Sequence, residues 1–161
     1  MNSRSNMGYT LSLSEIVSKA VSLKSKEEQV DWLKKNSSWS LQVGLAIMYD
    51  SERYQWDLPQ SIPPYTPSNI NESHGLLYRE MRKMKYFIKG NSGDNLPRVR
   101  KEALFVQMLE SVDKGDAKLL EAMLLQKPLK GLSAETINEA FGPIITIKER
   151  KARNGKEPKE V

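Results

Sequence analysis

Apolar residues recur at helical spacing along most of the chain, and no stretch alternates apolar and polar residues as a half-buried strand does. Ser12 to Glu15 has capping-box spacing, in which a hydroxyl and a carboxylate satisfy each other's backbone N–H groups, and Ile16, Val17, Ala20 and Val21 follow it. Ser25 to Glu28 repeats that spacing ahead of Val30, Trp32 and Leu33. A third helix is predicted over about Ser38 to Tyr49, with Leu41, Leu45 and Met48 on one side. Pro59, Pro63, Pro64 and Pro67 then crowd into a segment that no helix continues through, a long internal connection or a hinge.

Helical pattern resumes near Asn71, where Leu77, Met81, Met84 and Ile88 fall at i, i+4, i+7 and i+11 with Arg82, Lys83, Lys85 and Lys89 between them. This spacing predicts one continuous helix with a core stripe and positive flanks. Gly90 to Asn95 reads as a polar turn, and Pro97 suits the start of a helix that buries Leu104, Phe105, Met108, Leu109 and Val112. Asp116 is placed to cap a helix that buries Ala117, Leu120, Met123 and Leu124. Ser133 is the N-cap candidate for a short last helix around Ile137, Ala140 and Phe141, ended by Gly142-Pro143. The expectation is a single compact all-α domain of about seven helices over residues 11–147, with a proline-rich internal loop. Residues 1–10 form an N-terminal arm and 148–161 a basic polar tail. Its core should contain Ile16, Val17, Leu45, Leu77, Met81, Leu104, Met108, Leu120, Leu124 and Phe141.

Composition removes most catalytic chemistry from consideration. The 161 residues hold no Cys and one His. A disulfide framework, a thiolate metal site, a cysteine nucleophile and a histidine-based triad therefore lack their raw material, and no Asp and Glu group has metal-binding spacing. His74, close to a predicted helix start, reads as a surface or capping group. Nucleotide-binding glycine loops are missing as well, and Gly90-Asn-Ser-Gly93 lacks the sheet that a KH module needs around its Gly-x-x-Gly loop. The reading is a protein without catalytic residues, metal or cofactor. No apolar run reaches the ~20 residues of a membrane span, and Met1 to Thr10 does not read as a signal peptide, so a cytoplasmic location is expected.

Charge is distributed unevenly. The net +5 comprises +6 on Arg79 to Lys101, +3 on Lys148 to Val161 and −4 on the rest. One basic face and a basic tail on a slightly acidic body is the layout of a polyanion binder, although solvated helix faces produce the same count. Tyr49, Tyr54, Trp56 and Tyr65 surround the proline-rich stretch; aromatics so placed either stack on bases or pin a loop to the core, and pinning is the favoured reading. Lys127-Pro-Leu-Lys-Gly-Leu-Ser133 brings two lysines and a glycine to a predicted helix start, where free N–H groups, the dipole and a hydroxyl converge on one anion.

From about Leu13 to Ile147 the chain resembles the helical N-terminal DNA-binding domain of phage-type ATP-dependent DNA ligases. The similarity lies in Glu15-Ile-Val-Ser18, in Ser25-Lys-Glu-Glu-Gln-Val-Asp-Trp-Leu-Lys-Lys-Asn36 and in the aromatic stretch through Tyr49, Tyr54, Trp56 and Pro59. It continues in a leucine-rich helix pair and in the Gly-x-Ser turn Gly131-Leu-Ser133 that leads into Ile137-Asn-Glu-Ala-Phe-Gly142. The segment from Arg100 to Ile145 also looks like that of small uncharacterised proteins of large tailed phages. No Lys-x-Asp-Gly tetrapeptide occurs, so the ligation reaction is not carried over. What the resemblance implies is a helical clamp that grips duplex DNA by its phosphates, with Lys130, Gly131 and Ser133 near the backbone.

Together these readings predict a non-catalytic phage accessory protein that contacts the phosphates of duplex DNA through Arg98, Arg100, Lys101, Lys127, Lys130, Gly131 and Ser133. Arg82, Lys85 and Lys89 form the flanking basic patch. The alternative is a protein-binding adaptor or inhibitor directed at a host or phage replication, transcription or defence protein.

Overall fold

The computed structural model describes residues 11–68 and 76–147. The N-terminal arm, the C-terminal tail and His74 lie outside the described residues. Among the described residues there are seven α-helices: α1 (Leu13–Ser22), α2 (Lys26–Lys35), α3 (Trp39–Tyr49), α4 (Leu76–Glu80), α5 (Arg98–Ser111), α6 (Lys114–Leu125) and α7 (Ala134–Phe141). Two 3-10 turns, Met81–Tyr86 and Ser92–Asn95, join α4 to α5. The protein is all-α, and pairing of extended backbone among the described residues is confined to one antiparallel bridge, Trp56 with Ile88.

Caps set the helix starts. Ser12 and Glu15 form the reciprocal box at α1, and Ser25, Ser38 and Ser133 each accept a backbone N–H at the head of α2, α3 and α7. At α6 the cap is Asp113 rather than Asp116: the Asp113 carboxylate accepts the Asp116 N–H at 2.8 Å. Asp116 instead turns inward, where its Oδ1 accepts the Ser14 N–H at 2.9 Å and ties the first turn of α6 to that of α1.

Helix α3 buries residues on several faces, among them Leu41, Leu45, Ala46, Ile47 and Met48, because α4, α6 and α7 surround it. Ile16, Val17, Leu45, Leu77, Met81, Met108, Leu120 and Leu124 are buried as their spacing predicts. Leu104 and Phe141 are half-buried and pack against the core from its edge, one on the flank of α5 and the other as the final residue of α7.

The segment after the prolines departs most from its sequence reading. The α-helix stops at Glu80, and Met81–Tyr86 winds as a 3-10 turn, which brings Met81, Met84 and then Phe87 inward at a spacing of three. Ile88 does not extend a helix. Its neighbours bond across the bridge instead, with the Asp57 N–H donating to Phe87 O at 2.7 Å and the Lys89 N–H to Gln55 O at 2.8 Å. Gly93 permits the next turn to close on this segment, since a Cβ there would stand 2.4 Å from the Tyr86 Cα.

Trp56, Phe87 and Phe105 pack behind the bridge. Trp56 meets Phe87 nearly parallel at 6.2 Å, and the Phe105 ring stands nearly perpendicular to both at 5.5 and 5.4 Å. The aromatic residues of the proline-rich stretch therefore pin it to the core: the Trp56 indole N–H donates to Met123 O at 3.0 Å, and the Tyr65 hydroxyl to Glu121 Oε2 at 2.5 Å. Beside the aromatic trio Lys101 is 1% exposed, and its ammonium is bonded to Asp57 Oδ2. Arg98 reaches Asp57 Oδ1 at 3.1 Å. The hydrogen bond from Lys101 is the main influence holding the Asp57 carboxyl below the ordinary range, assisted by the charges of Lys101 and Arg98 and opposed by desolvation.

Removing the acid and removing the base of this pair should have unequal effects. Asp57→Ala leaves an ammonium buried without a partner and is expected to destabilise by about 3–5 kcal/mol. Lys101→Met keeps the aliphatic volume and leaves Asp57 to Arg98 and water, and should fall within about 1 kcal/mol of wild type. Denaturant titration of both variants checks the ordering, and equal losses would refute it.

Asp116 offers a separate test. Burial, helped by the nearby Asp113 charge and opposed by the Ser14 N–H, pushes its carboxyl up from 3.8 to about 6. Because the folded value is the higher, the stabilisation from protonated Asp116 is complete below about pH 3.8 and is lost as pH rises through about 6. Asp116→Asn retains the acceptor for Ser14 and is expected to raise stability at neutral pH by about 1–3 kcal/mol, with the gain vanishing near pH 4. Thermal unfolding across that range measures it.

Candidate nucleic-acid interface

The basic residues divide into groups held by different supports. The first is the 3-10 turn after α4. A 3-10 turn has about three residues per turn and rises about 2.0 Å per residue, so side chains three apart stand one above the other about 6 Å apart. Arg82 and Lys85 therefore share one outward ridge, behind which Met81 and Met84 are buried at the same interval. Arg79 precedes the ridge at the end of α4, and Lys89 follows it at the bridge. All four are exposed, and none is in an ion pair with a described residue. Lys83 belongs to another face and pairs with Glu80 at 2.8 Å. The Lys85 ammonium lies 5.4 Å from the centroid of the Tyr86 ring, which leaves its charge available to an anion.

The first turn of α5 holds the second group, and here the sequence reading needs correction. Lys101 is not available to a phosphate: it is buried and bonded to Asp57, because its place on α5 faces inward with Phe105 and Met108. Arg98 is exposed but shares the same carboxylate. Arg100 is exposed and in no ion pair with a described residue.

The third group precedes α7. Lys127 and Lys130 are exposed. Gly131 and Ser133, between Lys130 and the helix start, do structural work. Gly131 has φ +93°, and a Cβ there would press on Val21 O at 3.2 Å; its own carbonyl accepts from Gln29 Nε2 at 2.7 Å. Gln29 also donates to Ala20 O at 2.9 Å, so one buried amide ties the loop to the end of α1. The Ser133 hydroxyl accepts the Thr136 N–H at 3.1 Å and is 2.9 Å from the Thr136 hydroxyl. It is engaged in capping α7. The Tyr49 hydroxyl fixes the same loop by donating to Leu132 O at 2.6 Å and accepting the Leu129 N–H at 3.0 Å, and its burial raises it to about 12.

Sequence reasoning gave Arg82, Lys85 and Lys89 a flanking role, whereas the fold sets them with Arg79 as four exposed cations along one short segment, residues 79–89. The signal was present as the interval of three between Met81, Met84 and Phe87, which fits a 3-10 turn as well as a helix. Among the described residues no group of three or more His, Cys, Asp and Glu is arranged to hold a metal ion, and no helix is long and apolar enough to cross a membrane.

No curated protein and no solved structure matches the chain. Residues 16–130 match a family of unknown function, DUF6433. The matched stretch runs from α1 through the proline-rich loop, the ridge and α6 to Lys130, and so contains the Asp57 cluster and every exposed cation named above. This protein belongs to the DUF6433 family.

Proposed function

We propose that this protein is a non-catalytic phage accessory protein that binds duplex DNA through its backbone phosphates, with the ridge of Arg79, Arg82, Lys85 and Lys89 at the centre of the contact. The observation that carries this reading is the ridge itself: four exposed cations, in no ion pair with a described residue, projected from a segment whose other side is locked into the core. Cations without partners raise the local potential and release counterions from a polyanion, and a fixed spacing lets them track successive phosphates. Arg100, Lys127 and Lys130 extend the contact. The resemblance to the DNA-binding domain of phage-type ligases supports the same class of ligand and supplies the phage context. Such contacts position a protein on DNA without reading bases.

The triple variant Arg82→Ala, Lys85→Ala, Lys89→Ala should weaken duplex binding by a similar factor on unrelated sequences. Each lost phosphate contact lowers the slope of log affinity against log salt by roughly 0.9, so the slope should flatten by about 2 to 3. Ser133→Ala serves as the control: it removes a cap worth about 1 kcal/mol of stability and should leave the salt slope unchanged. A fluorescence anisotropy titration at several salt concentrations measures both. Wild-type protein that binds no duplex even at low salt would overturn the reading in favour of the adaptor.

A further inference from the structure

Helix α5 is apolar on two faces. Phe105, Met108 and Leu109 enter the core, while Val99, Ala103 and Val106 occupy i, i+4 and i+7 on another side, and Val99 is 77% exposed. Opposite this second stripe runs the extended chain from Leu58 to Pro64, and between them lies a groove of about 600 Å³ that reaches down to Phe105 and Leu124. Its loop wall includes Pro59, Pro63 and Pro64, which have no N–H to offer. An added strand would find few donors there, so an occupant must enter with side chains. Glu102 is the one charged residue lining the groove; it is exposed and in no ion pair with a described residue.

The margins of this face carry the complement of the groove, with Glu102 and Arg100, two residues apart on α5, on opposite flanks of the Val99 stripe. Val99 protrudes at its rim and is followed at once by Arg100, an exposed cation in no ion pair with a described residue. A protruding apolar side chain with an adjacent cation thus stands beside an apolar hollow with an unpaired anion. A two-fold interface requires both halves of the match on one surface.

We infer that two copies of this chain associate through this face, with Val99 of each copy seated in the groove of the other and Arg100 of each paired with Glu102 across the interface. This association uses the outward stripe of α5 and not the ridge, and Arg100 is the one residue it shares with the proposed DNA contact. Two turns of helix and a short loop offer an area at the low end of specific interfaces, so the dimer is reversible and depends on concentration.

Sedimentation equilibrium of the full chain, free of nucleic acid and run from low micromolar to submillimolar concentration, tests the inference. The mass should climb from 18.4 kDa toward twice that value. Val99→Asp should remain monomeric throughout, with an unchanged circular dichroism spectrum. Arg100→Glu and Glu102→Arg should each weaken association by about tenfold or more, and the double variant, which restores opposite charges across the interface, should recover most of the loss. Wild-type protein that is monomeric at the highest concentration overturns the inference, as does a dimer that persists in Val99→Asp or a double variant no better than either single one.

Discussion

The Lys101 ammonium is enclosed by protein, and an enclosed cation is tolerable only with a counter-charge and hydrogen bonds. Asp57 provides both, and in doing so it ties together three separate parts of the chain. Its carboxylate receives Lys101 and Arg98 from α5, and its backbone N–H donates to Phe87 at the end of the ridge. On either side Trp56 and Phe87 close over Phe105. The proline-rich loop, the 3-10 turn and α5 therefore share one anchor, in which apolar packing supplies the attraction and the ion pair fixes the register.

This anchor explains how a short, irregular segment can present charge in a defined direction. Arg82 and Lys85 repel each other, and an isolated 3-10 turn is a weak structure. Met81, Met84 and Phe87 hold its inner side, and Gly93 lets the following turn press against the Tyr86 backbone. The cations are left without local partners while the backbone beneath them is fixed. The loop before α7 reaches a comparable rigidity by neutral means, through the amide of Gln29 and the hydroxyl of Tyr49.

Much of the fold was legible because its determinants are local. Ser12, Ser25, Ser38 and Ser133 announce helix starts by caps that span three residues, and the apolar stripes of α1, α3 and α6 repeat within a few turns. The candidate site was legible only in part, because burial of a charge is decided by a residue far along the chain. The i, i+4, i+7 relation to Phe105 and Met108 puts Lys101 on the inward stripe of α5, but the partner that makes its burial possible, Asp57, is 44 positions away. Ser133 illustrates a related difficulty, since a cap that binds phosphate and a cap that only closes a helix have the same sequence. Likewise the i, i+4, i+7, i+11 series from Leu77 to Ile88 satisfies a helical period, yet the bridge to Trp56 and the interval of three prevail once Phe87 is buried.

On the proposed function the ridge, and not the start of α7, meets the phosphates. Amide chemical-shift mapping of the isotope-labelled full chain against a short duplex of arbitrary sequence, at low salt, addresses it residue by residue. The account predicts the largest shifts at Arg79, Arg82, Lys85 and Lys89, smaller ones at Arg100, Lys127 and Lys130, and none at Lys101. Shifts centred on Gly131 to Thr136 with a silent ridge would contradict it.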